Sequence, residues 1–124
     1  MKKDDRRALG AEGEARAAEH LARQGYRVLE RNARAGGVEI DLVAARGPLL
    51  VFVEVKARRV RRFGAPEEAV DERKRARLVH AARAWLHERR PRARRVRFDV
   101  IACDVDAAGE WRLRHLEGAF DADG

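Results

Sequence analysis

Two β-branched runs, Val38 to Ala45 and Leu49 to Ala57, flank the breaker Arg46-Gly47-Pro48. That arrangement constrains the chain more than any other feature, because it predicts an antiparallel hairpin with a defined register. A symmetric loop centred on Gly47-Pro48 pairs residues whose numbers sum to 95, whether two or four residues form the turn. Ile40 then faces Val55, Leu42 faces Val53 and Ala44 faces Val51, so one side of the hairpin is wholly apolar. The other side sets Asp41 against Glu54, Glu39 against Lys56 and Val43 against Phe52. Two opposed carboxylates repel. The pair is tolerable at a solvated sheet edge, or if one acid is protonated, or if a cation lies between them. A divalent metal is the economical choice, since hard cations take carboxylate oxygens.

The rest of the chain supplies covers for such a hairpin. Residues 8 to 24 are rich in Ala, Leu, Glu and Arg and read as a helix stopped by Gly25. Tyr26 to Arg34 alternates like a strand, broken by Gly36-Gly37. Pro66 opens a second helix running to about Arg90, with Glu67, Glu68, Asp71 and Glu72 at its start and Arg89 and Arg90 at its end, as the macrodipole prefers. Arg95 to Asp104 and Trp111 to Leu116 read as further strands. The predicted order is αβββαββ, an α/β or α+β domain with a mixed sheet covered by helices. The 124 residues fit one domain, with 1–7 expected to fray and 118–124 expected to form a tail.

Each predicted helix carries one charge in its apolar stripe. At about 100° per residue, Ala17, Ala18 and Leu21 mark the inner face of the first helix, and Glu14 falls near its centre. Val70, Leu78, Ala81 and Trp85 mark that of the second, and Lys74 falls within it. Buried charges need partners. Glu14, Lys74, Asp41, Glu54 and Lys56 could be each other's if they converge at one end of the sheet.

The charge balance points outward as well. Lys and Arg number 28 against 21 Asp and Glu, a net +7, and only Lys2, Lys3, Lys56 and Lys74 are lysines. Arginine in excess fits a phosphate-bearing partner. Arg58, Arg59, Arg61 and Arg62 follow the Lys56 strand as a basic loop, and Arg89, Arg90, Arg92, Arg94 and Arg95 form a second basic run. A lone Cys103 excludes a disulfide framework and a cysteine zinc site; it reads as a small buried hydrophobe, and Trp85 as core. His20, His80, His87 and His115 lack metal spacing and read as surface or packing residues. Asp99, between Phe98 and Val100, reads either as one half of a structural ion pair or as a support for Lys56 or Lys74, the ion pair being the preferred reading. No apolar stretch approaches a membrane span and no signal peptide is evident, so the expectation is a cytoplasmic protein without membrane contact.

The order Glu14, Asp41, Glu54-Val55-Lys56 resembles the PD-(D/E)xK nuclease superfamily in its Holliday-junction-resolvase-like branch. More closely, the chain resembles the YraN family of small bacterial proteins. The matching stretches are Gly10-Ala11-Glu12-Gly13-Glu14, Glu39-Ile40-Asp41-Leu42-Val43, Val51-Phe52-Val53-Glu54-Val55-Lys56-Ala57-Arg58, Phe63-Gly64-Ala65-Pro66-Glu67-Glu68-Ala69-Val70, Lys74-Arg75-Ala76-Arg77-Leu78 and Arg97-Phe98-Asp99-Val100. Val38 stands where that family usually has glycine, with Gly36-Gly37 just upstream.

The resemblance implies a restriction-endonuclease-like core and a metal-dependent endonuclease acting on double-stranded or branched DNA. On that reading Asp41 and Glu54 hold Mg²⁺ (or Mn²⁺), Glu14 completes the metal shell, and the carbonyl of Val55 is a further ligand. Lys56 orients water or stabilises the pentacovalent phosphorus, while Lys74 holds a flanking phosphate or neutralises the acids. Oxygen ligands favour Mg²⁺ over zinc. Arg58, Arg59, Arg61 and Arg62 grip the nucleic-acid backbone, and a homodimer would suit a two-fold-symmetric junction. The rival is a non-catalytic nucleic-acid-binding protein with an unused nuclease-like site.

Overall fold

The computed structural model describes residues 3–64 and 72–121. The order is α1 (Lys3–Arg23), β1 (Arg27–Ala35), β2 (Val38–Arg46), β3 (Leu49–Arg59), α2 (Glu72–Arg89), β4 (Arg95–Val105) and β5 (Trp111–Phe120). The strands form one sheet in the order β1-β2-β3-β4-β5. Every neighbouring pair is antiparallel except β3 and β4, which run parallel. Parallel neighbours need a long crossover, and the segment between them contains α2.

The helices cover opposite faces of the sheet, giving three layers. Ala17 and Leu21 of α1 pack on Leu42, Ala44, Val51, Val53, Ile101 and Cys103. Leu78, Ala81, Ala82 and Trp85 of α2 pack on Val43, Leu50, Phe52, Phe98 and Val100. This explains the unbroken apolar run of β3: Leu49, Val51 and Val53 face α1, while Leu50 and Phe52 face α2, and all five are buried. The α+β class, the mixed sheet and the order αβββαββ agree with the sequence expectation and with a restriction-endonuclease-like core. Trp85 and Cys103 are buried, as expected.

Gly25, at φ 86°, ends α1. The Tyr26 N–H donates to the carbonyl of Leu21 and the Gly25 N–H to that of Ala22, a left-handed cap that satisfies carbonyls the helix leaves open. The hairpin pairs Leu42 with Val53, Val43 with Phe52, Ala44 with Val51 and Arg46 with Leu49, the register read from the turn.

Some boundaries differ. α1 begins at Lys3, so residues 3–7 are helical rather than a frayed lead, and β5 runs to Phe120, which is buried under α2 rather than lying in a tail. Arg58 and Arg59 belong to β3 and not to a loop. The expected helix start at Pro66, with Glu67, Glu68, Val70 and Asp71, lies outside the described residues.

Candidate active site

The site forms where β2 leaves β3. Ladder pairing runs from the turn to Leu42–Val53 and no further. One residue on, where the sum rule would pair Asp41 with Glu54, the Asp41 carboxylate instead accepts the Val55 N–H at 2.8 Å. Alternation fails at the same place. Ile40 packs in the α2 cluster with Val43, three residues away, while Leu42 packs under α1. Strict alternation would have kept Ile40 with Leu42, as the sequence predicted. Across the sheet, Asn32 of β1 stands at φ 52°, a left-handed conformation that Asn tolerates better than most residues. Both strands therefore break step side by side, opening a fork.

Charges enter that fork from both faces. Glu14 descends from α1 beside Asn32, with a carboxylate oxygen within 4.8 Å of one on Asp41. Its neighbour Gly13 makes the approach possible: a Cβ there would sit 2.7 Å from the Cβ of Ala57, and Cys103 Sγ donates to the Gly13 carbonyl at 3.5 Å. Glu54 shares the face of Phe52 by alternation, and its β4 neighbour Val100 packs under α2. Oxygens of Glu14, Glu39 and Asp41 all lie within 4.8 Å of one another. Glu54 Oε2 is buried without a hydrogen-bond partner among the described residues. A cavity of about 220 Å³ lined by Glu39, Asp41, Glu54 and Lys74 opens onto them. Lys74 is exposed at its rim, and Lys56 lines an adjoining cavity that also touches Glu54 and Lys74.

The electrostatics follow from that crowding. Burial, with the charges of Glu14, Glu54 and Glu39, raises Asp41 from the usual carboxylate range to about 7, against the Val55 N–H that favours its anion. Glu14 is also raised, first by burial and then by Glu39, although Asn32 and Asp41 pull the other way. Against that crowding stand the Val55 N–H for Asp41, and Asn32 and the charge of Arg31 for Glu14.

The structure thus brings Glu14, Asp41, Glu54, Lys56 and Lys74 to one end of the sheet. Sequence reasoning passed over Glu39, whose position two residues before Asp41 was the available signal. For Val55, the observed role is N–H donation to Asp41. Among the predicted backbone-binding arginines, Arg58 is held by Asp104 at 2.9 and 3.3 Å, while Arg59, Arg61 and Arg62 are exposed beyond it.

Asp99 lies outside the fork. It is fully buried and takes two bonds from Arg97, at 2.8 and 2.7 Å, and one from the Gly118 N–H, and its Oδ2 lies 2.7 Å from His115 Nε2. Arg97 also donates to the Tyr26 hydroxyl, and His115 Nδ1 lies 3.1 Å from His20 Nε2. The ion pair predicted for Asp99 exists. His20 and His115 are members of its network rather than surface residues.

A three-layer α+β domain with a forked central strand pair and an acid cluster backed by two lysines is the class that fold and site define. Residues 13–103 match the family described as "Uncharacterised protein family UPF0102", and the chain belongs to it. The chain is 46% identical over 121 residues to the UPF0102 protein of Anaeromyxobacter dehalogenans, covering 98% of this chain and 90% of that protein. It is 50% identical over 119 residues to that of Moorella thermoacetica, covering 93% and 97%. To that of Beutenbergia cavernae it is 49% identical over 111 residues, covering 90% and 94%. Among the described residues no helix is long and apolar enough to cross a membrane.

Proposed function

We propose that this protein is a divalent-metal-dependent endonuclease that hydrolyses phosphodiester bonds in DNA. The observation that carries the reading is crowded negative charge in a sheltered place: oxygens of Glu14, Glu39 and Asp41 lie within 4.8 Å of one another, and one Glu54 oxygen is buried without a hydrogen-bond partner among the described residues. A folded chain tolerates such crowding where a ligand supplies the counter-charge. The donors are all carboxylates, which fits Mg²⁺ or Mn²⁺ and not a soft metal.

Asp41 with Glu14 and Glu39 would hold the ion, and Glu54 with its orphaned oxygen would complete its surroundings. The bound ion would neutralise phosphoryl charge and make water acidic enough to attack at neutral pH. Lys56, two residues beyond Glu54, contributes a positive charge to the developing oxyanion and orients the attacking water. Lys74 at the rim holds a flanking phosphate. Arg59, Arg61 and Arg62 take the neighbouring backbone phosphates, whereas Arg58 serves the fold through Asp104. A DNA substrate places the protein in the cytoplasm, and a symmetric branched substrate would be met by two copies.

The test is cleavage of end-labelled linear, flap and four-way-junction DNA with Mg²⁺ or Mn²⁺. Asp41→Asn and Lys56→Ala should each lower the rate by about 10²-fold or more, by analogy with removal of one transition-state contact. Salt-sensitive binding of all three substrates with no cleavage of any would favour the non-catalytic nucleic-acid-binding reading instead.

A further inference from the structure

A second cavity, of about 420 Å³, adjoins the acidic one and shares Glu54 and Lys74 with it. The two differ in character. Gly10 of α1, Ala57 of β3 and Ala102 of β4 give the second cavity a floor of little more than backbone and methyl groups; the Arg58–Asp104 pair lies at its wall, and Arg6, Lys56 and Lys74 add positive charge. Its volume lies within the usual range for small-ligand sites, about 300 to 1,000 Å³.

Gly10 is the informative residue. Glycine inside a helix costs about 1 kcal/mol relative to alanine, so it needs a reason. At Gly13 the reason is packing, because a Cβ would collide with Ala57. At Gly10 a Cβ would meet no atom of the described residues within 4 Å. Among the described residues no neighbour demands glycine there, and what its missing side chain preserves is open volume. Arg6 stands one turn earlier on the same helix face, at the same cavity.

We infer that this cavity receives one unpaired nucleotide next to the phosphate being cleaved, with its sugar and base over Gly10, Ala57 and Ala102 and its outer phosphate against Arg6. The inference rests on the nuclease reading and adds a substrate class to it. A phosphodiester crossing between the cavities at Glu54 and Lys74 would set its phosphorus at the acid cluster and the adjoining nucleoside in the second cavity. A base stacked within a duplex cannot enter a space walled by a helix and a sheet; it must be unpaired or turned out. The preferred substrates are therefore flaps, loops and single strands, not intact duplex.

Two variants and two probes test this. The probes are fluorescein-labelled hexathymidylate and a blunt-ended labelled duplex, titrated by anisotropy at low salt with Ca²⁺ in place of Mg²⁺. Gly10→Leu should fill the cavity and melt no lower than wild type; Arg6→Ala alters an exposed residue and leaves the core intact. Wild type should prefer the single strand, and each variant should weaken single-strand binding at least tenfold while changing duplex binding less than twofold. Unchanged hexathymidylate affinity in both variants would overturn the inference, as would equal weakening of both probes or no single-strand preference in wild type. Cleavage is read separately with Mg²⁺. A wild type that shows the binding pattern but cuts nothing would break the nuclease reading and leave the nucleotide cavity standing. A wild type that cuts intact duplex as fast as flaps, with both variants unaffected, would do the reverse.

Discussion

Asp41 and Asp99 sit close together on the same sheet and have opposite fates. Asp99 pairs in register with Val53, and Leu42, the residue after Asp41, pairs with Val53 from the other side. Burial raises both carboxyls, yet Asp99 ends below the ordinary range and Asp41 reaches about 7. The difference lies in the company. His115, Arg97 and the Gly118 N–H overcome the burial of Asp99, whereas Asp41 has one backbone N–H and three acids around it. The chain can build a fully satisfied buried carboxylate, and does so at Asp99. The crowding of Asp41 by other acids costs stability that the partners of Asp99 spare it.

The comparison breaks most readily at Asp99. Removing one partner of a buried pair strands the other, at about 3–5 kcal/mol. Asp99→Ala should therefore lower stability in urea unfolding by about that much, because Arg97 loses two charge-assisted bonds. Asp41→Asn should leave stability unchanged or raise it in the absence of divalent metal, because it removes a repelled charge. Equal losses at the two positions would show that Asp41 is also a structural anchor.

Divalent metal should act on one region only. Binding to the folded state alone stabilises by about 2.7 kcal/mol at a hundredfold excess over Kd. Mg²⁺ or Mn²⁺ should raise the wild-type melting temperature accordingly and leave Asp41→Asn nearly unmoved. The same rise in both proteins would place the metal elsewhere.

Proton linkage gives the smallest and most diagnostic effect. A carboxyl raised to about 7 in the folded state binds more protons there than in the unfolded chain, so its contribution to stability falls as pH rises from about 4 to about 7. The slope is at most about 1.4 kcal/mol per pH unit. Asp99, depressed in the folded state, works in the opposite sense: its stabilisation is present above the ordinary carboxylate pKa and is lost as pH falls through its lower folded value. His20, lowered by burial and by His115 and Arg23, also favours folding more as pH rises toward the ordinary histidine range. The difference between wild-type and Asp41→Asn melts cancels both. Between pH 5 and 7 wild type should gain on the variant as pH falls, and saturating Mg²⁺ should abolish the gain. Parallel curves would mean that Asp41 does not share its site with the other acids.

Much of the architecture was legible because it is local. The Gly47-Pro48 turn and the apolar alternation set the pairing from Leu42–Val53 to Arg46–Leu49, and the stripe of α1 located Glu14 as an inward charge. Asp41, Glu54 and Lys56 stood out because their charges interrupted an apolar hairpin. The reading failed where the backbone left regular geometry. A period of two cannot foresee that β2 changes face between Ile40 and Val43, and that change gives Asp41 the Val55 N–H in place of a cross-strand acid. The basic loop was misjudged for a related reason: Arg58 continues the strand because Asp104, far away in sequence, holds it.

What the sequence by itself determined is the order of elements, the hairpin register and the set of charges out of place, all consequences of periodicity and turn chemistry over a few residues. Only the tertiary structure decided which of those charges are satisfied. Glu39 and Glu14 crowd Asp41, while Arg97, His115 and the Gly118 N–H close around Asp99. Desolvation and Coulomb interaction depend on distance through space, and folding sets that distance between residues the chain keeps far apart.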